Sequence, residues 1–459
     1  MDRQGRPIDV DFHNRLDRIT GLEKVISNSD ITAALKTSAK ADSRECTLSH
    51  RAMMWIVLAM GLFTDLPIRQ VYKACRRIRA GEPLPSRSAL CMARQRLGSE
   101  PLVNLHRRVV RPLATEETPG AFYNGMRKVS IDGSVFDVPD CNAHQHLGRS
   151  SGSRGEGPFP QLRKLSLVEL GTHVELGFTY GGWSSSERAL FPQLVNSIPD
   201  DALLFLDAGF YSFELWNSLH SKHQLLVRGQ KSMAFNPLQV FQDGSYLANV
   251  YRSNWYREND SDGILVRVIE YTIDDPQRTG HQEKHVLLTN LLDAELFPAD
   301  ELICEYHERW EAEIVFDEQK THQDPTRAEK TTNFRSETSD GLKQEVYALS
   351  LAHYVIRALM FEAAQSQGID VDRLSFKGCF QIIKTRLPEY NPELGKVHFD
   401  NWATTLLWEM GQETVPLQRN RINPRVIKRK MSRWKKCRPK HRRLPPLEKQ
   451  FPDTIVMLH

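Results

Sequence analysis

The chain has no long apolar segment. Its longest apolar run, Ala52 to Phe63, is 12 residues, too short for a bilayer span of about 20. The N-terminus, MDRQGRPIDVDF, has no apolar stretch behind a basic one, so no secretory signal is expected. The seven cysteines are odd in number and widely spaced, without a C-x-x-C pair. That excludes a disulfide framework or zinc knuckle and points to reduced thiols. Internal repeats are lacking. GSRGEG at residues 152–157 is glycine-rich but lacks the Lys-Ser/Thr ending of a phosphate loop, so no nucleotide cofactor is expected. His281 and His285 stand four apart, but their charged loop neighbours make HQEKH a solvated turn rather than a zinc site.

What is present is ordinary globular material, with 40% hydrophobic and 26% charged residues in 459 and a net charge of +4. A cytoplasmic protein of two or three domains, with no membrane partner, fits this composition. The charge is uneven. From Arg419 to Arg443 there are 13 Lys or Arg and no Asp or Glu, which leaves the rest of the chain at −9. Such a run suits a polyanion and gives a salt-dependent affinity. Arg425, Lys428, Arg429, Lys430, Lys435 and Lys436 are its candidate DNA-binding residues, while Val426, Ile427 and Trp434 give it means to dock. A solubilising tail, or contact with RNA or an acidic membrane surface, is the alternative.

Residues 1–126 read as helical. Ser49 caps the dense apolar HRAMMWIVLAMGLF, IRQVYKACRRIRAG reads as an amphipathic helix ending at Gly81, and two further short helices follow. A DNA-binding module and a dimerisation cap are equally open for this region. Near residue 127 the pattern changes: KVSIDGSVFDVP reads as a strand, and LRKLSLVELGTHVELGFTYGG as two more joined at Gly-Thr-His. SSSERALFPQLVNSIP reads as a capped helix. DALLFLDAGF is a continuous apolar run and predicts a buried strand, followed by a helix and the strand QLLVRGQ. This order predicts a mixed α/β sheet of RNase H-like kind. Residues 232–296 read as a β-rich insertion, Pro298 to about His322 as one long helix, and the rest as mostly helical. The expected domains are 1–126 (helical, DNA binding), 127–367 (catalytic core with the insertion) and 368–459 (helices and basic tail).

Three acids stand where chemistry would use them: Asp132 in VSIDGS, Asp207 at the end of LLFLDAGFY, and Glu313 in YHERWEAEIVFDEQK. Ligands bind at the carboxyl ends of strands in open α/β sheets. Carboxylates from two strands and a facing helix would select Mg²⁺ or Mn²⁺, and two such ions suit phosphoryl transfer. A lone Asp near a strand end is usually a turn or cap residue, and Asp137, Asp140, Asp200 and Asp201 are of that kind. On an ideal helix Tyr306, Arg309, Glu313 and Lys320 fall within a 60° sector at 100° per residue, whereas Glu308, Glu311 and Glu318 fall elsewhere. A core-facing stripe would not gather three unpaired charges, although a solvated stripe would.

The spacing Tyr306-x2-Arg309-x3-Glu313-x6-Lys320 resembles the Y-x2-R-x3-E-x6-K signature of bacterial insertion-sequence transposases of the acidic-triad, hairpin-forming type. IDGS and DAGFYS resemble their first two catalytic segments, LSHRAMMWIVLAMGLFTDLPIRQVYKAC their N-terminal helical domain, and NPRVIKRKMSRW their basic C-terminal end. The resemblance implies an RNase H-like fold with an insertion, two divalent ions held by Asp132, Asp207 and Glu313, and cutting and joining of DNA ends through a hairpin. It implies that Tyr306, Arg309 and Lys320 hold phosphates, that a homodimer pairs two ends, and that the protein works at the bacterial nucleoid. A Trp of the insertion stacks on a flipped base in that family; Trp255 is the candidate, with a hydrophobic anchor as the equal alternative. A structure-specific nuclease and a catalytically inactive DNA-binding regulator are the competing functions.

Overall fold

The computed structural model describes residues 16–41, 47–78, 81, 83–152, 155–276, 278, 280–323, 334–416 and 449–459. The basic segment, with Arg425, Lys428, Arg429, Lys430, Lys435 and Lys436, lies outside the described residues. The chain forms two compact units. One comprises Met1–Phe122, Ile131–Ile198 and Glu311–Pro416; the other comprises Tyr123–Ser130, Pro199–Trp310 and Leu417–His459.

The first unit opens with the helices Asn28–Thr37, His50–Leu62, Ile68–Ala74, Arg87–Leu97 and Glu100–Val109. Ser27, Ser49 and Ser86 precede three of them, and each hydroxyl accepts the N–H of the third residue on. This satisfies a donor that the first turn cannot pair. Every residue from Ala52 to Leu62 is buried, as a helix apolar all round requires. The helix expected to run to Gly81 stops at Ala74, where the Cys75 N–H closes the last turn.

Three strands follow: β1 (Met126–Asp137), β2 (Gln161–Glu169) and β3 (Val174–Gly182). β2 and β3 form an antiparallel hairpin with a register shift between Leu167 and Val168, and β1 is the other neighbour of β2. The turn at Gly-Thr-His is as expected, with His173 at φ 57°. The helix expected after β3 is reduced to one turn, Glu187–Leu190, capped by Ser186 and followed by 3₁₀ turns. Pro192 explains this, since its ring denies the next helical hydrogen bond.

The helix Ser339–Gln367 is the centre of this unit, capped by Thr338 and ended by Gly368 at φ 64°. Among the described residues it is the one helix long and apolar enough to cross a membrane, and 78% of its apolar window is buried within the protein. It packs against His50–Leu62, Phe376–Arg386 and Gly395–Gln412.

In the second unit the first half of β1 runs parallel to β4 (Ala202–Leu206), and β4 runs parallel to β5 (Gln224–Arg228). All five residues of β4 are buried, the burial that its uninterrupted apolar run predicts. The helix Phe213–Leu219 makes the crossover. Beyond it come β6 (Gln239–Val240), β7 (Tyr246–Val250), β8 (Ile264–Ile273) and β9 (His285–Thr289). These run antiparallel in the order β5-β9-β8-β7-β6, so residues 232–296 extend the sheet from β5. The chain terminus returns as β10 (Ile455–Met457) on β8. His281 and His285 each bond a backbone carbonyl, of Ile273 and Gly280.

The single helix expected from Pro298 to His322 is instead four pieces. Ala299–His307 is α-helical, Glu308–Trp310 is a 3₁₀ turn, Glu311–Asp317 is α-helical and Glu318–His322 is a π turn. A uniform 100° step therefore does not hold across the segment.

Candidate active site

Asp132 and Glu313 belong to the first unit, and Asp207 belongs to the second. Asp132 is half-buried on β1, where one carboxylate oxygen accepts the Gly133 N–H at 2.8 Å. A Cβ at Gly133 would lie 2.2 Å from Oε1 of Glu187, which pairs with Arg163 at 3.3 Å, so the Glu187 side chain would have to shift. Two residues on from Asp132, Ser134 Oγ accepts from the Lys320 ammonium, which lies 4.7 Å from the Phe136 ring centroid. Glu313 is exposed on Glu311–Asp317. Lys320 thus ties the segment carrying Glu313 to the strand carrying Asp132.

In the second unit Asp207 follows β4 directly and repeats the pattern of Asp132. One of its oxygens accepts the Ala208 N–H at 2.7 Å. Ser130 stands opposite Phe205 in the parallel pairing, so each aspartate comes two residues after a paired position. Tyr306 is buried and its hydroxyl donates to the Leu206 carbonyl at 3.2 Å, just before Asp207. Burial raises that hydroxyl above the usual tyrosine range; Asp207 adds to the rise, while Arg309 and Arg228 oppose it. Arg309 also hydrogen-bonds the Tyr306 side chain. The second unit therefore gathers Asp207, Tyr306 and Arg309. Tyr306 faces inward here, on the buried face of Ala299–His307 with Ala299, Leu302 and Ile303.

Trp255 is 62% exposed on the short helix Asn254–Glu258, edge to face with Tyr256. Asp132, Asp207 and Glu313 are all carboxylates, the ligand type that suits a hard divalent cation. Among the described residues no three His, Cys, Asp or Glu stand close enough to hold one ion.

Sequence reasoning missed the inner face of residues 311–323. Glu311, Glu318, Gln319 and Gln323 are buried on it, although the helical wheel gives none of them a role. Their partners make that tolerable, since paired charges bury at far lower cost than lone ones. A signal did exist: Ser350, His353 and Arg357 interrupt the apolar face of Ser339–Gln367.

Mixed strands with helices, and acids just past parallel strands, are consistent with an RNase H-like α/β core. The model of the transposase DDE domain matches residues 123–354, and that of the insertion element 4 transposase N-terminal domain matches residues 16–107. The chain belongs to the DDE transposase family, with the N-terminal domain of insertion element 4 transposases. It is 26% identical over 439 residues to the transposase InsG for insertion sequence element IS4 of Escherichia coli (strain K12), covering 93% of this chain and 96% of that protein. It is 29% identical over 194 residues to the putative transposase InsZ of the same organism, covering 42% of this chain and 64% of that protein. Membership implies an enzyme that cuts and joins DNA at insertion-sequence ends, in a family whose members generally use divalent metals.

Proposed function

We propose that this transposase cuts and joins insertion-sequence ends by phosphoryl transfer at Asp132, Asp207 and Glu313, through a DNA hairpin. The observation that carries this reading is the matched pair of aspartates, each two residues past the Ser130–Phe205 pairing and each with an oxygen on the next backbone N–H. That bond fixes one oxygen of each carboxylate and sets the direction of the other. The three carboxylates would hold two Mg²⁺ or Mn²⁺ ions, which when bound promote attack by water and stabilise the leaving oxygen.

Water attacks the phosphorus at the element's end, the P–O3′ bond breaks, and a 3′ hydroxyl is released. That hydroxyl attacks the opposite strand and displaces the flanking DNA, leaving a hairpin. A second water opens the hairpin and frees the 3′ hydroxyl again, which then attacks a phosphorus of the target DNA and displaces that strand's own 3′ oxygen. Through these steps the carboxylates would set the reacting phosphate in line through the cations they would hold. Arg309 and Lys320 neutralise backbone phosphates, while Tyr306 supports the strand end through the Leu206 carbonyl. Trp255, exposed, stacks on a flipped base, and a homodimer holds the paired ends.

The test is incubation of the purified chain with Mg²⁺ and a plasmid carrying the element's ends. Nicks at the ends, a hairpin on denaturing gels and strand joining are expected. Binding without cleavage would identify an inactive regulator, and cleavage without joining a nuclease.

The basic segment is tested separately. β10 follows it in the chain, so truncation would also strip a strand from β8. Replacing Lys428, Arg429, Lys430, Lys435 and Lys436 with Gln spares that strand. The slope of log affinity against log salt should become shallower by up to about 4.5, at about 0.9 for each phosphate no longer neutralised. An unaltered slope would show that these residues do not meet the backbone.

A further inference from the structure

The segment bearing Glu313 buries Ala312, Val315 and Phe316, and beside these apolar contacts it is held by a set of buried charged and polar side chains. Glu318 is 3% exposed, and Arg357 Nε donates to its Oε2 at 3.0 Å. A second Arg357 nitrogen donates to Oε1, and His353 Nε2 lies 2.8 Å from Oε2. Arg357 also donates to Nδ1 of His173 at 2.8 Å, which leaves the proton of that ring on Nε2, facing Glu311 at 3.2 Å. Glu311 in turn accepts the Gly171 N–H at 2.6 Å. Gln319 bridges Lys164 of β2 and Glu175 of β3 at 3.0 and 3.2 Å. Gln323 donates to the carbonyls of Gly61 and Leu349.

All these groups lie in one compact unit. Between them they pin the segment on both sides of Glu313. Apolar contacts alone would let a short helix slide or turn by a fraction of a residue, whereas directional bonds do not. The π turn Glu318–His322 adds a residue to the turn, and within it Glu318 and Gln319 both face inward while Lys320 reaches Ser134. Burial would raise the Glu318 carboxyl, but Arg357 and His353 hold it below the usual carboxylate range, so the pair is charged.

We propose that Glu318, paired with Arg357 and His353, is a positioning residue for Glu313: the buried ion pair sets the register of the segment that carries Glu313 and docks on β1 through Lys320. The proposal rests on the reading of Glu313 as a catalytic carboxylate. Neither Glu318 nor Arg357 touches the reacting phosphate; each acts through the setting of Glu313.

The experiment compares Glu318→Gln, the double variant Glu318→Gln/Arg357→Met, His353→Gln and Glu313→Gln in the full chain. Urea unfolding, end binding, amide hydrogen exchange over residues 311–323 and single-turnover nicking across a Mg²⁺ series are measured. Glu318→Gln leaves Arg357 buried without its partner, so stability and nicking both fall. The double variant leaves no lone charge, so its urea midpoint recovers toward the wild-type value. Its nicking should stay slower by on the order of 10–100-fold, with a higher Mg²⁺ requirement, faster amide exchange at residues 313–320 and unchanged end binding. His353→Gln, which keeps the ion pair, should shift the Mg²⁺ requirement in the same direction by less.

Wild-type nicking and Mg²⁺ dependence in both the double variant and His353→Gln would overturn the positioning role. If Glu313→Gln itself nicks normally, the active-site reading fails instead, so the two failures are separable.

Discussion

Asp132→Asn, Asp207→Asn and Glu313→Gln should each bind the element's ends as the wild type does and nick them on the order of 1,000-fold more slowly. Each change keeps the side-chain shape and removes one negative charge. At Asp132 and Asp207 the remaining amide oxygen can still accept the neighbouring N–H, so the local turn survives. The variants lack the charge that would hold a divalent ion against a phosphate. The neighbouring acids supply the control. Asp140 is paired with Arg149 at 2.5 Å, and Asp137 accepts from Gln161 at 2.8 Å. Asp137→Asn and Asp140→Asn should nick at close to the wild-type rate. Plasmid nicking under single-turnover conditions decides the matter: full activity in any of the three triad variants would remove that residue from the active site.

Gly61→Ala should lower stability by about 2 kcal/mol. Inside a helix this exchange ordinarily gains about 1 kcal/mol. Here a Cβ would stand 2.2 Å from the Ala348 carbonyl oxygen, 2.6 Å from its carbon and 2.9 Å from the Ala352 Cβ. Two of those are backbone atoms of the central helix, so no side-chain rotation relieves the clash. Overpacking of this kind costs about 3 kcal/mol, which outweighs the propensity gain. The same site carries a functional thread, because the Gly61 carbonyl accepts from Gln323, ten residues past Glu313. The urea midpoint of the purified variant measures the destabilisation; an unchanged midpoint would mean that His50–Leu62 does not approach Ser339–Gln367 this closely.

Several elements were legible because their cause is local. β4 announces itself as an apolar run that only a strand buried on both faces needs. The helices after Ser49 and Ser86 begin where a hydroxyl can pair the first turn's N–H. Asp207 was legible because a carboxylate just past a buried strand stands out against its surroundings. The helical wheel failed for a different reason. It assumes one rotation per residue, whereas residues 308–310 form a 3₁₀ turn and residues 318–322 a π turn.

The amino-acid order alone determined the central strands and the Ser-capped helices, the three acids, the basic run and, through the spacing from Tyr306 to Lys320, the resemblance to DNA transposases. These follow from short-range periodicity and side-chain chemistry. Tertiary structure alone decided that Tyr306 turns inward to Leu206, that Trp255 is exposed, and that Glu318 is buried against Arg357 and His353. Each depends on which groups the folded chain brings together across tens or hundreds of residues, and a charge is buried only where such a partner waits for it.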